Sequence, residues 1–229
     1  MSIHSYAKPS ITTDMVLLRV RAEQSVSKRK LKNHKLEILL VKRQTKPQKD
    51  MLSLPGGFVN IEEDLETNVL RKVFEKTGVS GNYYIEQLLT KGELARDPRG
   101  RVISVSYIGL GNKLNLTEIT KNNAKWYDIS LLIQGFYGEL AFDHKDILLE
   151  ALNRLKNKIE YTDIAFNLVS DTFTIAELKT VYELILGNSI SNFRRKLQDY
   201  LEETGETQEG YQYRPASLYR LNKNRKSRF

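Results

Sequence analysis

Two short apolar runs, MVLLRV at residues 15–20 and LEILLV at 36–41, suit buried strands. Farther on, Val102, Ser104, Ser106 and Ile108 alternate with Ile103, Val105 and Tyr107, the pattern of a strand in a packed sheet. Residues 125–129 read as another strand, and the large aromatic Trp126 is assigned to the core. Leu65, Val69, Val73 and Phe74 recur at helical spacing, and Gly78 stands where a left-handed residue closes a helix. A helix is therefore expected across residues 63–79. Another is expected to open with Asp143 as its N-cap and to run through Leu152 and Leu155 to Lys158. His144, in its first turn, is read as serving structure or solvent rather than a ligand. After Tyr161 the character changes. Thr174 and Glu177 fit a capping box ahead of an apolar face made by Ile175, Leu178, Val181, Tyr182 and Ile185, and Gly187 ends that helix. A further helix is expected over residues 191–200, followed by extended pieces at 209–214 and 217–221. The expected division is residues 1–158 and 159–229.

Composition narrows the class. With 229 residues, 40% hydrophobic and 28% charged, the chain has ample material for a core and an ordinary globular balance. No apolar run approaches the roughly 20 residues needed to cross a bilayer, and the start is not patterned as a signal peptide. There is no cysteine, so disulfide frameworks and thiolate chemistry are excluded. These features fit a cytoplasmic protein with no membrane partner. The three histidines are scattered and offer no metal cluster, so no metal site is expected.

The net charge of +8 attracts polyanions without distinguishing nucleic acid from nucleotide, so its placement matters more. Arg214, Arg220, Lys223, Arg225, Lys226 and Arg228 crowd the last stretch with no acidic residue among them. A second group, Lys28, Arg29, Lys30, Lys32 and Lys35, falls in the polar segment between the first two strands and reads as solubilising.

The stretch GFVNIEEDLETNVLRKVFEKTGV, residues 57–79, resembles the Nudix box, G-x5-E-x7-R-E-U-x-E-E-x-G-U with U aliphatic. Gly57, Glu63, Arg71, Val73, Glu75, Gly78 and Val79 fall on their places, whereas Lys72 and Lys76 replace two glutamates. The resemblance implies an α/β/α fold around a mixed sheet, and a groove in which magnesium held by glutamates ordinarily hydrolyses nucleoside diphosphate derivatives. Positions 72, 75 and 76 share one helix face. Two ammonium groups there oppose a dication, each by roughly 1–2 kcal/mol at about 5 Å even at the dielectric of water. Catalytic residues are therefore assigned to none. Lys72 and Lys76 either make a solvated face paired with Glu75 or replace the metal charge and hold a pyrophosphate uncleaved.

The turn Arg96-Asp97-Pro98-Arg99-Gly100-Arg101 gathers three guanidinium groups of the kind that grip phosphates. It resembles the corresponding loop of ADP-ribose-type Nudix domains, which makes Arg96, Arg99 and Arg101 candidate ligand contacts; an exposed charged turn is the other reading. Helix, turn, basic helix and arginine-bearing hairpin is the layout of a winged helix-turn-helix, in which the basic helix enters the major groove. Asn192, Arg194, Arg195, Lys196 and Arg214 are the candidate DNA contacts.

The degenerate box, the ARDPRGRVIS loop, AFDH at 141–144, and NFRRK with RPASLYR together resemble the NrtR family of Nudix-related transcriptional regulators over nearly the whole chain. That resemblance implies an α+β Nudix-like sensor joined to a C-terminal winged helix, a double-stranded DNA operator, and ADP-ribose or a related NAD metabolite as effector. Some relatives sense sugars instead. It also implies a homodimer on palindromic DNA. The competing expectation is a magnesium-dependent ADP-ribose or nucleotide-sugar pyrophosphatase with an accessory C-terminal domain, Glu63 and Glu75 holding the metal weakly. Otherwise no cofactor is expected.

Overall fold

The two apolar runs are buried on both sides because a hydrophobic core covers each face of the sheet they join. The computed structural model describes residues 7–22, 34–112, 114, 123–208 and 215–224. Strand β1 (Ser10–Ala22) pairs antiparallel with β2 (His34–Lys42), which in turn carries β3 (Leu52–Ser53). β4 (Gly56–Phe58) adds to β1 beside β3. β5 (Tyr84–Lys91) runs antiparallel to β6 (Val102–Leu110), and β6 joins β1 in parallel. β7 (Ala124–Asp128) completes the mixed seven-stranded sheet on β2. Alternation then sorts the side chains: Val16, Leu18, Ile38, Leu40, Ile108 and Leu110 feed one core, and Met15, Leu17, Leu39, Val41, Val105 and Tyr107 feed the other.

Helix α1 (Leu65–Thr77) covers the second face with Val69 and Val73. The Asp64 carboxylate caps it by accepting from the Thr67 N–H at 2.8 Å, and Gly78 closes it at φ 69° with its N–H on the Phe74 carbonyl. Phe74, expected to lie on the apolar face, is instead 57% exposed. Trp126, assigned to the core, packs against the second cluster from its edge. It is half-buried at the sheet margin, under the guanidinium of Arg19 at 4.2 Å, where Arg19 is fixed by a 2.7 Å hydrogen bond to buried Glu37. A short helix α2 (Ile129–Ile133), capped by Asp128, follows β7. Helix α3 (His144–Lys158) covers the first face through Ile147, Leu148, Ala151 and Leu155.

The same core continues past α3 without a break. A 3₁₀ turn at Ile164–Leu168 contributes Ile164, Ala165, Phe166 and Leu168, and helix α4 (Ile175–Leu186) contributes Leu178, Val181 and Tyr182. The expected capping box is present: Thr174 Oγ1 accepts from the Glu177 N–H at 3.2 Å, and a Glu177 oxygen accepts from the Thr174 N–H at 2.8 Å. Gly187 ends the helix in the left-handed region.

The next helix is shorter than residues 191–200. Helix α5 spans Phe193–Lys196, then tightens into a 3₁₀ turn at Gln198–Tyr200. The tighter turn lets Tyr200 stack on Phe166 at 6.2 Å while Phe193 meets Tyr182 edge-on at 5.0 Å. The hairpin begins earlier than expected, with β8 (Leu201–Thr207) paired to β9 (Ser217–Leu221). Arg214 and the expected extended piece at 209–214 lie outside the described residues. Removing the cap with Thr174→Ala is expected to lower unfolding stability by about 0.5–2 kcal/mol in urea denaturation, since Thr174 is buried and its hydroxyl oxygen is the acceptor for the Glu177 N–H.

Candidate ligand groove and nucleic-acid interface

The first of the paired glycines is dictated by β1, because a Cβ on Gly56 would fall 2.2 Å from the Thr13 carbonyl oxygen. A Cβ on Gly57 would meet the Lys72 methylenes at 3.0–3.1 Å, so the turn and α1 close against each other. Buried Asn68 ties them further. Its amide donates to the Phe58 carbonyl at 3.0 Å and to Glu63 Oε1 at 2.5 Å, and its oxygen accepts from Thr13 Oγ1 at 2.6 Å.

Both surviving box carboxylates are taken. Arg71 donates to Glu63 through Nε at 2.9 Å and also through Nη2, and to Glu75 through Nη1 at 2.6 Å. Lys72 Nζ holds the other Glu75 oxygen at 3.1 Å. The Arg71 guanidinium, with Asn68 and the Asn60 N–H, holds the Glu63 carboxyl down at about 2. Arg71 likewise lowers Glu75. The magnesium usual to a Nudix box needs oxygen donors with charge to spare. Here the donors are neutralised and flanked by two lysines, so this donor set does not fit that ion. Among the described residues no group of three or more carboxylates, histidines or cysteines converges as a metal site.

The arginine loop is also largely committed. Arg96 is buried, with a 5% exposed side chain, and pairs two-pronged with Asp143 at 2.7 and 2.9 Å. Asp143 therefore stands at the start of α3 without capping it, its carboxylate turned to Arg96. Arg99 is clamped by Asp97 at 2.6 Å, and its guanidinium lies 5.0 Å from the Phe58 ring and 5.8 Å from Phe142. Arg101 holds the carbonyl oxygens of Gly92 and Glu93 at 2.5 and 3.1 Å. His144 is wholly structural: its Nδ1 accepts from the Leu54 N–H at 2.9 Å, leaving Nε2 facing Asp14 at 3.7 Å. Burial holds its pKa below the usual histidine value.

Two groove residues escaped the sequence reading. Arg43, just past β2, is half-buried with its guanidinium 4.6 Å over Phe142. Asp14 sits buried mid-strand, accepting from Ser104 Oγ at 2.5 Å. The available signal was a charge breaking or ending an apolar run, which is common on any surface strand. Lys76 shares the Lys72 face of α1. Burial, then Arg43 and Lys72 nearby, lower its pKa against the pull of Asp14.

At the other end, Asn192 takes a left-handed conformation (φ 53°) before α5, and Arg194, Arg195 and Lys196 are exposed on that helix. Arg194 leans over the Tyr219 ring at 5.4 Å, tying α5 to the hairpin. The described hairpin is not uniformly basic, since Arg220 is paired with Glu202, and Glu203 and Glu206 lie on the same strand.

Comparison with known proteins fits these two regions. A NUDIX domain model matches residues 26–150, and a model of the NrtR DNA-binding winged helix domain matches residues 165–221. The chain is 37% identical over 224 residues to the ADPR responsive transcriptional repressor NtrR of Acinetobacter baylyi, covering 94% of this chain and 83% of that one. The chain belongs to the NrtR family. Its structure resembles that of Shewanella oneidensis NrtR complexed with a 27mer DNA, at TM-score 0.75 and 34% identity over 93% of each chain. The Nudix part resembles the NUDIX domain of the same NrtR complexed with ADP ribose, at TM-score 0.52 and 32% identity over 68% of this chain and 94% of that one.

The Glu63–Arg71 clamp makes stability depend on acid. A carboxyl held below its ordinary 4.5 contributes stability that is full above that value and is lost as pH falls toward about 2. The gap in denaturation midpoint between the parent and Glu63→Gln should be widest at neutral pH and close across that window. A gap independent of pH would contradict the clamp.

Proposed function

We propose that this protein is a DNA-binding transcriptional regulator, a repressor, whose Nudix groove senses ADP-ribose or a closely related diphosphate metabolite without hydrolysing it. The observation that carries this reading is the state of the box: Glu63 and Glu75 are locked by Arg71 and Lys72, on a core continuous with a winged helix that presents Arg194, Arg195 and Lys196. Likeness to the Acinetobacter repressor and to the Shewanella NrtR complexes with DNA and ADP ribose supports both ends of it.

Residues 1–158 form the sensor and 159–229 the DNA-binding part. Two copies bind a palindromic operator in the cytoplasm. Asn192, Arg194, Arg195, Lys196 and Arg214 meet the DNA, with Arg194 fixed in direction by Tyr219. Ligand and DNA then favour different arrangements of one continuous core, so each alters the affinity of the other. The competing reading, a pyrophosphatase, requires Glu63 and Glu75 to leave their cationic partners before they can serve a metal.

Selection from a pool of upstream DNA, with and without ADP-ribose, should recover one palindromic site whose affinity changes with the metabolite. Arg195→Ala should weaken that site and reduce the slope of log affinity against log salt by about 1. Incubation with magnesium and ADP-ribose should release no AMP at ordinary enzyme turnover, about 1 s⁻¹ or more. Failure to select any DNA at moderate salt, or AMP release at such a rate, would reverse the assignment.

A further inference from the structure

We propose that the winged helix carries a ligand site of its own, a cavity beside α5 that takes a small aromatic carboxylate and competes with DNA for Arg195 and Lys196. The competition rests on the reading of α5 as the helix that meets DNA; the cavity itself does not.

The space follows from how soon the surrounding elements stop. α3 ends at Lys158, α4 ends at Gly187, and α5 holds only four residues before it tightens into the 3₁₀ turn. A single helical turn cannot cover the gap between those ends. What remains is a cavity of about 540 Å³, within the usual size of small-molecule sites and sharing no residue with the groove over the box. Its wall is made by the rings of Tyr182 and Phe193, which meet edge-on, together with Tyr200, Leu186 and Ile190. Such a wall seats a flat apolar ring.

One polar atom in that wall lacks a partner. Tyr182 is 6% exposed, and its hydroxyl is shut from solvent without a hydrogen bond among the described residues. A buried tyrosine hydroxyl ordinarily finds an acceptor, and leaving one unmatched is costly. Burial, with Tyr200 and Asp163 nearby, raises its pKa above the ordinary phenol value, so it keeps its proton and can donate. A ligand seated against the ring, with an oxygen at its inner end, supplies the missing acceptor.

The mouth suits the other end of such a ligand. Arg195 and Lys196 line the cavity from α5, and among the described residues neither side chain makes an ion pair, whereas Arg194 is drawn aside over Tyr219. The lining holds one acidic residue, exposed Glu160, so two cations face one anion and a carboxylate is favoured over an amine. The guanidinium fork can take both carboxylate oxygens. A ligand held this way occupies the two cations that DNA phosphates would otherwise neutralise, and operator affinity falls.

The test uses the full-length protein with para-hydroxycinnamate and cinnamate, which differ only in the hydroxyl, titrated by ligand-observed NMR. The hydroxylated acid should bind the parent about fivefold or more tighter, the gain of one hydrogen bond at a buried donor. Tyr182→Phe should erase that difference, leave cinnamate affinity unchanged and not lower the melting temperature. Arg195→Gln should weaken both acids, and Asn188→Trp, which fills the mouth from an exposed position, should exclude both. Operator affinity should fall as para-hydroxycinnamate is added to the parent, and not in Asn188→Trp. No binding of either acid at millimolar concentration, equal affinities in the parent, or a difference that survives Tyr182→Phe would each overturn the site. Binding that meets those tests but leaves operator affinity unchanged would keep the cavity and overturn the competition. A parent that selects no operator would reject the reading of α5 and leave the acid titrations to decide the cavity.

Discussion

The anchorage of α3 to the sheet, through Asp143 on Arg96 and His144 on the Leu54 N–H, is the constraint on which both halves of the molecule depend. Asp14 lies at its centre, accepting from Ser104 and facing Arg96 and His144 at 3.9 and 3.7 Å. Buried charge networks of this kind contribute little net stability against an apolar alternative, but removing any one member strands the rest. Their effect here is positional. They fix the direction in which α3 leaves the groove, and α3 carries Leu148, Ala151 and Leu155 into the core shared with Phe166, Leu178 and Tyr182. One helix is thus anchored at its start beside the groove and shares its buried face with the core that the C-terminal part joins.

The same accounting separates the arginines by role. A count of guanidinium groups near the groove suggests a phosphate clamp made of Arg96, Arg99 and Arg101, yet each spends its hydrogen bonds within the protein. Such pairs shape the groove by holding loops and aromatic rings in place, as Arg99 does with Phe58. Charge available to a ligand is what remains after internal pairing. The glutamates of the box follow the same logic from the other sign, since Arg71 takes up the acidity that hydrolysis by a metal would need.

Sequence carried the fold wherever a local rule decided the outcome. Apolar runs at 15–20 and 36–41 became central strands, Gly78 and Gly187 closed helices at positive φ, and Thr174 with Glu177 formed its box. It failed where a distant partner overrode a local preference. Asp143 has the spacing of an N-cap but is drawn away by Arg96, 47 residues earlier. The helix expected through Tyr200 tightens because the aromatic rings of Phe166 and Tyr182 set where Tyr200 and Phe193 must point. Arg43 carries only the weak mark of a charge that ends an apolar run, and its place over Phe142 is set by the packed structure.

The central claim is that the Nudix groove and the winged helix are two binding sites on one coupled body. The most direct measurement is calorimetric titration of ADP-ribose into the free protein and into its saturated complex with operator DNA. Coupling predicts that the two affinities differ, by the same factor as the change ADP-ribose makes in operator affinity. Equal affinities in the free and DNA-bound states would contradict it.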